Sequence, residues 1–185
     1  MNDVLTAIAS RFSCRKYTGE PVEQEKLEQI ATAGLQAPSA LNKQPLKIIV
    51  IQDKALIEEM DEAALEHLKN NATPAYERIL SRGGKVYYNA PAIFLVLKTP
   101  EVSQTAKIDA GISVQTMALA AASLEVNTVI AAMTEMPFVS EKAAYFKEKV
   151  GWPEGYEFMI GLIAGYGDMK AAPHAIDEGK IKYVG

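Results

Sequence analysis

Arg11, Ser13 and Arg15 alternate in the run RFSCR. In an extended segment alternate side chains share a face, so two guanidiniums and a hydroxyl converge on one anion. The planar guanidinium fork bonds two oxygens at once, which suits phosphate. A plainer reading stays open: a solvated basic turn in which Arg11 complements the end of the preceding helix. A second polar group, Ser39, Asn42 and Gln44 in APSALNKQP, stands at the mouth of an apolar β-branched run. Short neutral donors and acceptors suit a flat heterocycle with imide and carbonyl edges. They also suit ordinary turn and capping chemistry.

Other chemistries find little support. His67 and His174 are the only histidines, and neither is spaced with Cys or another His as metal ligands are. No metal site is expected. No G-x-S-x-G turn is present, so a Ser-His-Asp hydrolase is hard to build. With so poor a catalytic inventory among the side chains, an organic cofactor becomes the natural carrier of reactivity.

These residues need elements to hold them. DVLTAIASR reads as a first helix with Val4, Leu5 and Ile8 on one face. CRKYTGEP reads as a turn-rich link. VEQEKLEQIATAGLQA reads as a second helix, with Leu27, Ile30, Ala31 and Gly34 in phase and Pro21 and Pro38 as punctuation. KIIVIQ is a strand and KALIEEMDEAALEHLK a third, amphipathic helix. A short helix is expected around Tyr76–Leu80, before a Gly-Gly break. AIFLVLK is a second strand. DAGISVQTMALAAASLEV is a long helix, capped by Asp109 and apolar nearly all round, which suggests the central helix of the core or a subunit interface. NTVIAAM and YEFMIGLIAGYG read as strands, SEKAAYFKEKVG as a helix with Ser140 at its N-cap, and the tail GKIKYVG as a short strand. No G-x-G-x-x-G follows a first strand, and the order lacks strict β-α alternation. The fold class is therefore α+β: a central mixed, mostly antiparallel sheet flanked by helices.

The 185 residues fit one domain, with 49% hydrophobic and 23% charged residues, as in an ordinary globular protein. A net charge of −4 argues against nucleic acid or an anionic membrane as the main partner. The single cysteine, Cys14, allows no internal disulfide, and the N-terminus shows no basic leader before an apolar run. A cytoplasmic protein is expected. No apolar run is long enough to span a bilayer.

Taken together and in order, RFSCR and APSALNKQP resemble the nitroreductase family of FMN-dependent oxidoreductases, whose pattern pairs Arg-x-Ser-x-Arg with Ala-Pro-Ser-x-x-Asn-x-Gln-Pro about 25 residues later. The resemblance runs on through NAPAIFLV at 89–96 and DAGISVQTMALAAASLEVNT at 109–128, and ends in GLIAGYG at 161–167. It implies a homodimer with FMN at the interface and a C-terminal arm exchanged between subunits. Arg11, Phe12, Ser13 and Arg15 match the segment holding the FMN phosphate and one flavin edge, where Arg15 would tune the flavin. Pro38, Ser39, Ala40 and Asn42 match the segment that reaches the flavin from the partner. Gln44 belongs to the same motif, in a position that is largely structural. Ile130, Ala131 and Ala132 match the strand end that lies along the isoalloxazine. Lys170 and His174 follow the last strand, where the family often places a further basic phosphate ligand.

The implied reaction takes a hydride from NADH or NADPH and passes it, by a ping-pong mechanism, to an electron-poor small molecule such as a nitroaromatic, quinone or enone. The flavin carries the chemistry, so no protein group is assigned as catalytic. The alternative is a flavin- or nucleotide-binding protein without turnover. The chain departs from the family pattern at Leu46, often Trp or another large residue, at Gly167, often Pro, and at 129–133, which lacks polar or Pro residues. Tyr76, Tyr87 and Tyr88 are candidates for a substrate pocket or for the core.

Overall fold

The strand Ala92–Lys98 (β2) is buried on both faces, and the fold is built outward from it. The computed structural model describes residues 2–101, 104–172 and 175–185. Side chains alternate across a strand. Ile93, Leu95 and Leu97 point into one hydrophobic cluster, and Ala92, Phe94 and Val96 into another. A strand in this position reads as a continuous apolar run and needs helices on both sides.

The other strands are Leu46–Ile51 (β1), Asn127–Ile130 (β3) and Glu157–Gly165 (β4). The sheet order is β1-β2-β4-β3, and each neighbouring pair is antiparallel. The expected mostly antiparallel sheet is found, and among the described residues the parallel pairing is confined to the isolated bridge Ser13↔Thr128. The tail also differs from its strand reading. Residues 181–185 are extended but unpaired, after a 3-10 turn at Glu178–Lys180. A strand pattern forms a strand only where another edge supplies hydrogen bonds.

The helices are Asp3–Ser10 (α1), Gln24–Gln36 (α2), Lys54–Asn71 (α3), Thr73–Leu80 (α4), Ala106–Ser123 (α5), Met136–Val139 (α6) and Ala143–Lys149 (α7). Asn2 caps α1 through Leu5 N at 3.0 Å, and Asp53 caps α3 through Ala55 N at 3.0 Å. Helices α2 and α5 cover one face of the sheet, where Gly34 lets them approach closely. A side chain at Gly34 would come within 2.6 Å of Met117 and 2.7 Å of Ile48. Ser113 Oγ donates to the Gly34 carbonyl at 2.8 Å and fixes that approach.

Two caps fall elsewhere than the sequence reading puts them. Helix α5 begins at Ala106, so Asp109 is buried inside its first turns and not at its cap. Helix α7 begins at Ala143. Ser140 instead closes the preceding turn, donating to the Pro137 carbonyl at 2.8 Å and accepting from Lys142 N at 3.2 Å. Of the three tyrosines, Tyr87 and Tyr88 are buried in the cluster under α3, and Tyr76 packs against it half-buried.

Helix α5 is apolar all round, but in one chain only one face is covered. Ala106, Ala110, Val114, Met117, Ala118 and Ala121 are buried, while Ile108 stays 64% exposed and Ile112 is exposed as well. Helix α1, packed on α5, also exposes Val4, Leu5 and Ile8, and Leu35 and Leu41, at and after the end of α2, are exposed as well.

Candidate functional site

The segment after α1 is held along the sheet. Cys14 N donates to the Thr128 carbonyl at 3.0 Å, and Tyr17 bridges to Gly167. The link read from CRKYTGEP is therefore an extended segment laid beside β3 and the end of β4. Phe12 and Cys14 turn into the larger cluster. Arg11 and Ser13 are half-buried and Arg15 is exposed. Burial raises the Cys14 pKa, so its sulfur remains a thiol that donates to the Lys16 carbonyl at 3.2 Å. The Tyr17 hydroxyl is likewise pushed up by burial, and donates to the carbonyls of Cys14 at 3.0 Å and Ile163 at 3.3 Å.

The chain leaving β4 returns to the same segment. Asp168 N donates to the Lys16 carbonyl at 2.9 Å, Lys16 Nζ pairs with Asp168 at 2.6 Å, and Arg15 N donates to Met169 Sδ at 3.2 Å. Lys170, exposed, follows directly in sequence. His174 lies outside the described residues. Arg11 and Phe12 also line a cavity of about 150 Å³ with Ala122, Glu125, Val126 and Thr128, at the C-terminal end of α5. The Thr128 hydroxyl is buried there without a hydrogen-bond partner among the described residues.

The second polar group forms a strained loop. Leu41, Asn42 and Gln44 have φ of 55°, 51° and 48°, the left-handed region that non-glycine residues seldom occupy. Such strain persists only where the surroundings over-determine it, and it concentrates at ligand sites. Here Ser39 Oγ accepts from Gln44 N at 2.9 Å, and Gln44 Nε2 donates to Asn42 Oδ1 at 3.0 Å. Asp109 Oδ1 accepts from Ala40 N at 3.2 Å and ties the loop to the start of α5. Pro38 and Asn42 are exposed, Ser39 and Ala40 half-buried.

Beyond β3, Ala131 N donates to the Gly161 carbonyl at 2.9 Å, and the chain enters a 3-10 turn at Ala132–Glu135. The strand read as extending to Met133 therefore ends at Ile130. Ile130 packs under α5, Ala131 packs on the opposite side of the sheet, and Ala132 is exposed.

Within one chain the two polar clusters do not meet. One is tied to Asp109 and the other adjoins Ala122, and a helix rises 1.5 Å per residue, so about 20 Å of α5 separates them. Arg11, Ser13 and Arg15 lie on the one extended segment beside β3, and Lys170 is next in sequence to Met169, whose sulfur accepts from Arg15 N. The structure adds Asp109, Thr128 and Met169, which sequence reasoning did not assign. A buried Asp in an otherwise apolar helix was the available signal for Asp109; nothing marked the other two.

The model of the nitroreductase family matches residues 8–166. The chain belongs to the nitroreductase family. It is similar to a nitroreductase with bound FMN from Desulfitobacterium hafniense at 38% identity, with a TM-score of 0.93 over 100% of both chains. A nitroreductase with bound FMN from Bacteroides fragilis shares the fold at a TM-score of 0.88, with 23% identity and 100% of both chains covered. An FMN reductase (NAD(P)H) from Bacillus subtilis is 42% identical over 64 residues, 35% of this chain and 26% of that protein. The chain thus spans about a quarter of that curated relative. Among the described residues, this family member has no helix long and apolar enough to cross a membrane, and no cluster of three His, Cys, Asp or Glu residues able to hold a metal ion.

Proposed function

We propose that the protein is an FMN-dependent oxidoreductase that takes a hydride from NADH or NADPH and passes it to an electron-poor small molecule such as a nitroaromatic, quinone or enone. The observation that carries this reading is the pairing of a basic edge with a strained amide-bearing loop, in a chain that aligns end to end with an FMN-bound relative.

The donor set fits the cofactor. Arg11, Arg15 and Lys170 would offer forked and point cations to a phosphate. Asn42 retains its amide N–H groups after accepting from Gln44, and these suit the imide and carbonyl edges of a flavin. FMN, when bound, supplies the hydride chemistry, which the side chains lack. Arg15 would place positive charge beside the flavin edge, and Ile130, Ala131 and Ala132 would offer an apolar floor.

A site split by the length of α5 needs two chains. A two-fold axis that sets α5 antiparallel to its copy brings the loop of one subunit to the basic cluster of the other. The exposed apolar residues of α1 and α5 lie on the faces this arrangement would cover. The unpaired tail would then reach the partner as an exchanged arm.

The visible spectrum of the purified protein, followed by NADH and NADPH oxidation with several acceptors, tests the reading. A flavin spectrum and turnover are expected. If donor and acceptor take turns in one cleft, double-reciprocal plots at several acceptor concentrations are parallel. A colourless protein that takes up no FMN overturns the reading. Bound flavin with no turnover would favour a flavin-binding protein for storage or sensing.

A further inference from the structure

A cavity of about 380 Å³ opens between the extended segment 17–22, the first turns of α3 and the segment 85–91. None of the residues assigned to the flavin lines it, so a ligand bound here would leave the flavin's own contacts untouched. Its volume lies in the range of small-molecule pockets. Val22, Leu27, Ile57 and Tyr87 give it an apolar wall.

Its buried charge is Asp61, 4% exposed. One carboxylate oxygen accepts from Tyr87 N at 2.7 Å. The other stands 3.7 Å from Lys85 Nζ, an ion pair beyond hydrogen-bond distance. The Lys85 side chain is 41% exposed, so its ammonium is already shared with solvent. Burial raises the Asp61 pKa against the opposing pull of the Tyr87 and Val86 amides and of Lys85. The backbone of the same wall is strained: Tyr88 and Asn89 hold φ of 56° and 59°, and Asn89 lines the cavity.

The lining selects the sign of the ligand. Lys54 and Glu58 at the exposed mouth stand 3.9 Å apart and offset one another, so the buried charge that decides is Asp61, where a cation can take the place of the half-exposed Lys85. We propose that this cavity binds a small protonated amine with a compact apolar body, its ammonium on Asp61 and its body against Val22, Leu27 and Ile57.

The test is calorimetric titration of the full-length protein, with its cofactor as purified, using 2-phenylethylamine and its neutral counterpart 2-phenylethanol. The amine should bind about tenfold tighter or better, the factor that a charge-assisted hydrogen bond confers. Asp61→Asn keeps an acceptor for the Tyr87 amide and should bring amine and alcohol to equal affinity, with flavin content unchanged. Glu58→Trp, at the exposed mouth, should block the amine and needs no change at a buried site. Equal binding of amine and alcohol to the unaltered protein, or no binding of either, overturns the proposal. So does a preference that survives both substitutions. Binding that emerges only after removal of residues 180–185 would mean that the tail, with Lys180 and Lys182, fills the cavity, and would equally overturn it.

Discussion

The carboxylate of Asp109, four residues into α5, accepts a hydrogen bond from the backbone amide of Ala40 at 3.2 Å. That bond links the strained loop to the helix whose far end adjoins Arg11. Asp109 also accepts from Thr105 Oγ1 at 3.3 Å, so it is buried with partners on two elements. Asp109→Ala should cost about 1–3 kcal/mol, because it leaves the half-buried Ala40 amide without its partner. Asp109→Asn keeps an acceptor and should cost less. Urea midpoints of the two variants check this, and equal losses would show that the carboxylate's charge, not the bond to Ala40, carries the effect.

Arg11→Ala should weaken FMN binding about 10- to 150-fold, the range of one charge-assisted bond of roughly 1.5–3 kcal/mol. Quenching of flavin fluorescence during titration of the apoprotein reads it directly. Unchanged affinity would leave Arg11 as the residue that closes α1, where its backbone N–H donates to the Ala7 carbonyl at 3.0 Å.

The apolar face shared by α1 and α5 should be closed by a second copy. Light scattering at low micromolar concentration should return twice the 20.1 kDa chain mass. Ile108 is 64% exposed in one chain, so Ile108→Glu should leave the fold of the single chain intact while shifting the population toward monomer and lowering FMN affinity. A monomer that holds flavin as tightly as the parent would remove the shared site.

The pH dependence of stability should carry the signature of Asp61. Its pKa is raised in the folded state, chiefly by burial, so the native protein holds the proton more tightly than the unfolded chain. Stability from this group is therefore present at low pH and lost as pH rises through the raised value. Asp61→Asn removes that loss. As pH rises above the ordinary carboxylate range, about 4, the stability difference should move in favour of the variant. A difference constant over that rise would mean that the carboxylate titrates alike in both states.

Gly161 should resist any side chain. A methyl group there would overlap Thr134, 2.8 Å from its Cβ, where the 3-10 turn after β3 crosses β4. Gly161→Ala should cost about 1–3 kcal/mol, as overpacking does. Thermal unfolding of the variant measures it.

Much of this was legible in the residues. The strands β1, β2 and β4 and the helices α2, α3 and α5 follow from apolar runs and 3.6-residue periodicity. The polar motifs could be picked out at all because alternation and Pro punctuation are local signals. What escaped was non-local. Strand order depends on which edges meet, so the sequence β1-β2-β4-β3 across the sheet was out of reach. The left-handed turn at Leu41, Asn42 and Gln44 carries no glycine to announce it. Asp109 looked like a cap because a bond to Ala40, 69 residues away, leaves no trace in spacing. The cavity above Asp61 is assembled from three distant segments, none of which is unusual alone.

The 20 Å of α5 between the two clusters has a genetic consequence. In a dimer built around a shared site, Arg11 of one subunit and Asn42 of the other serve the same flavin. A chain carrying Arg11→Ala and a chain carrying Asn42→Ala are each defective as homodimers, since both of their sites are damaged. Mixed into one heterodimer, they place both lesions in one site and leave the other whole. Co-expression of two impaired alleles would then restore about half of the parental activity per mixed dimer, and the two substitutions would complement each other in trans but not in cis.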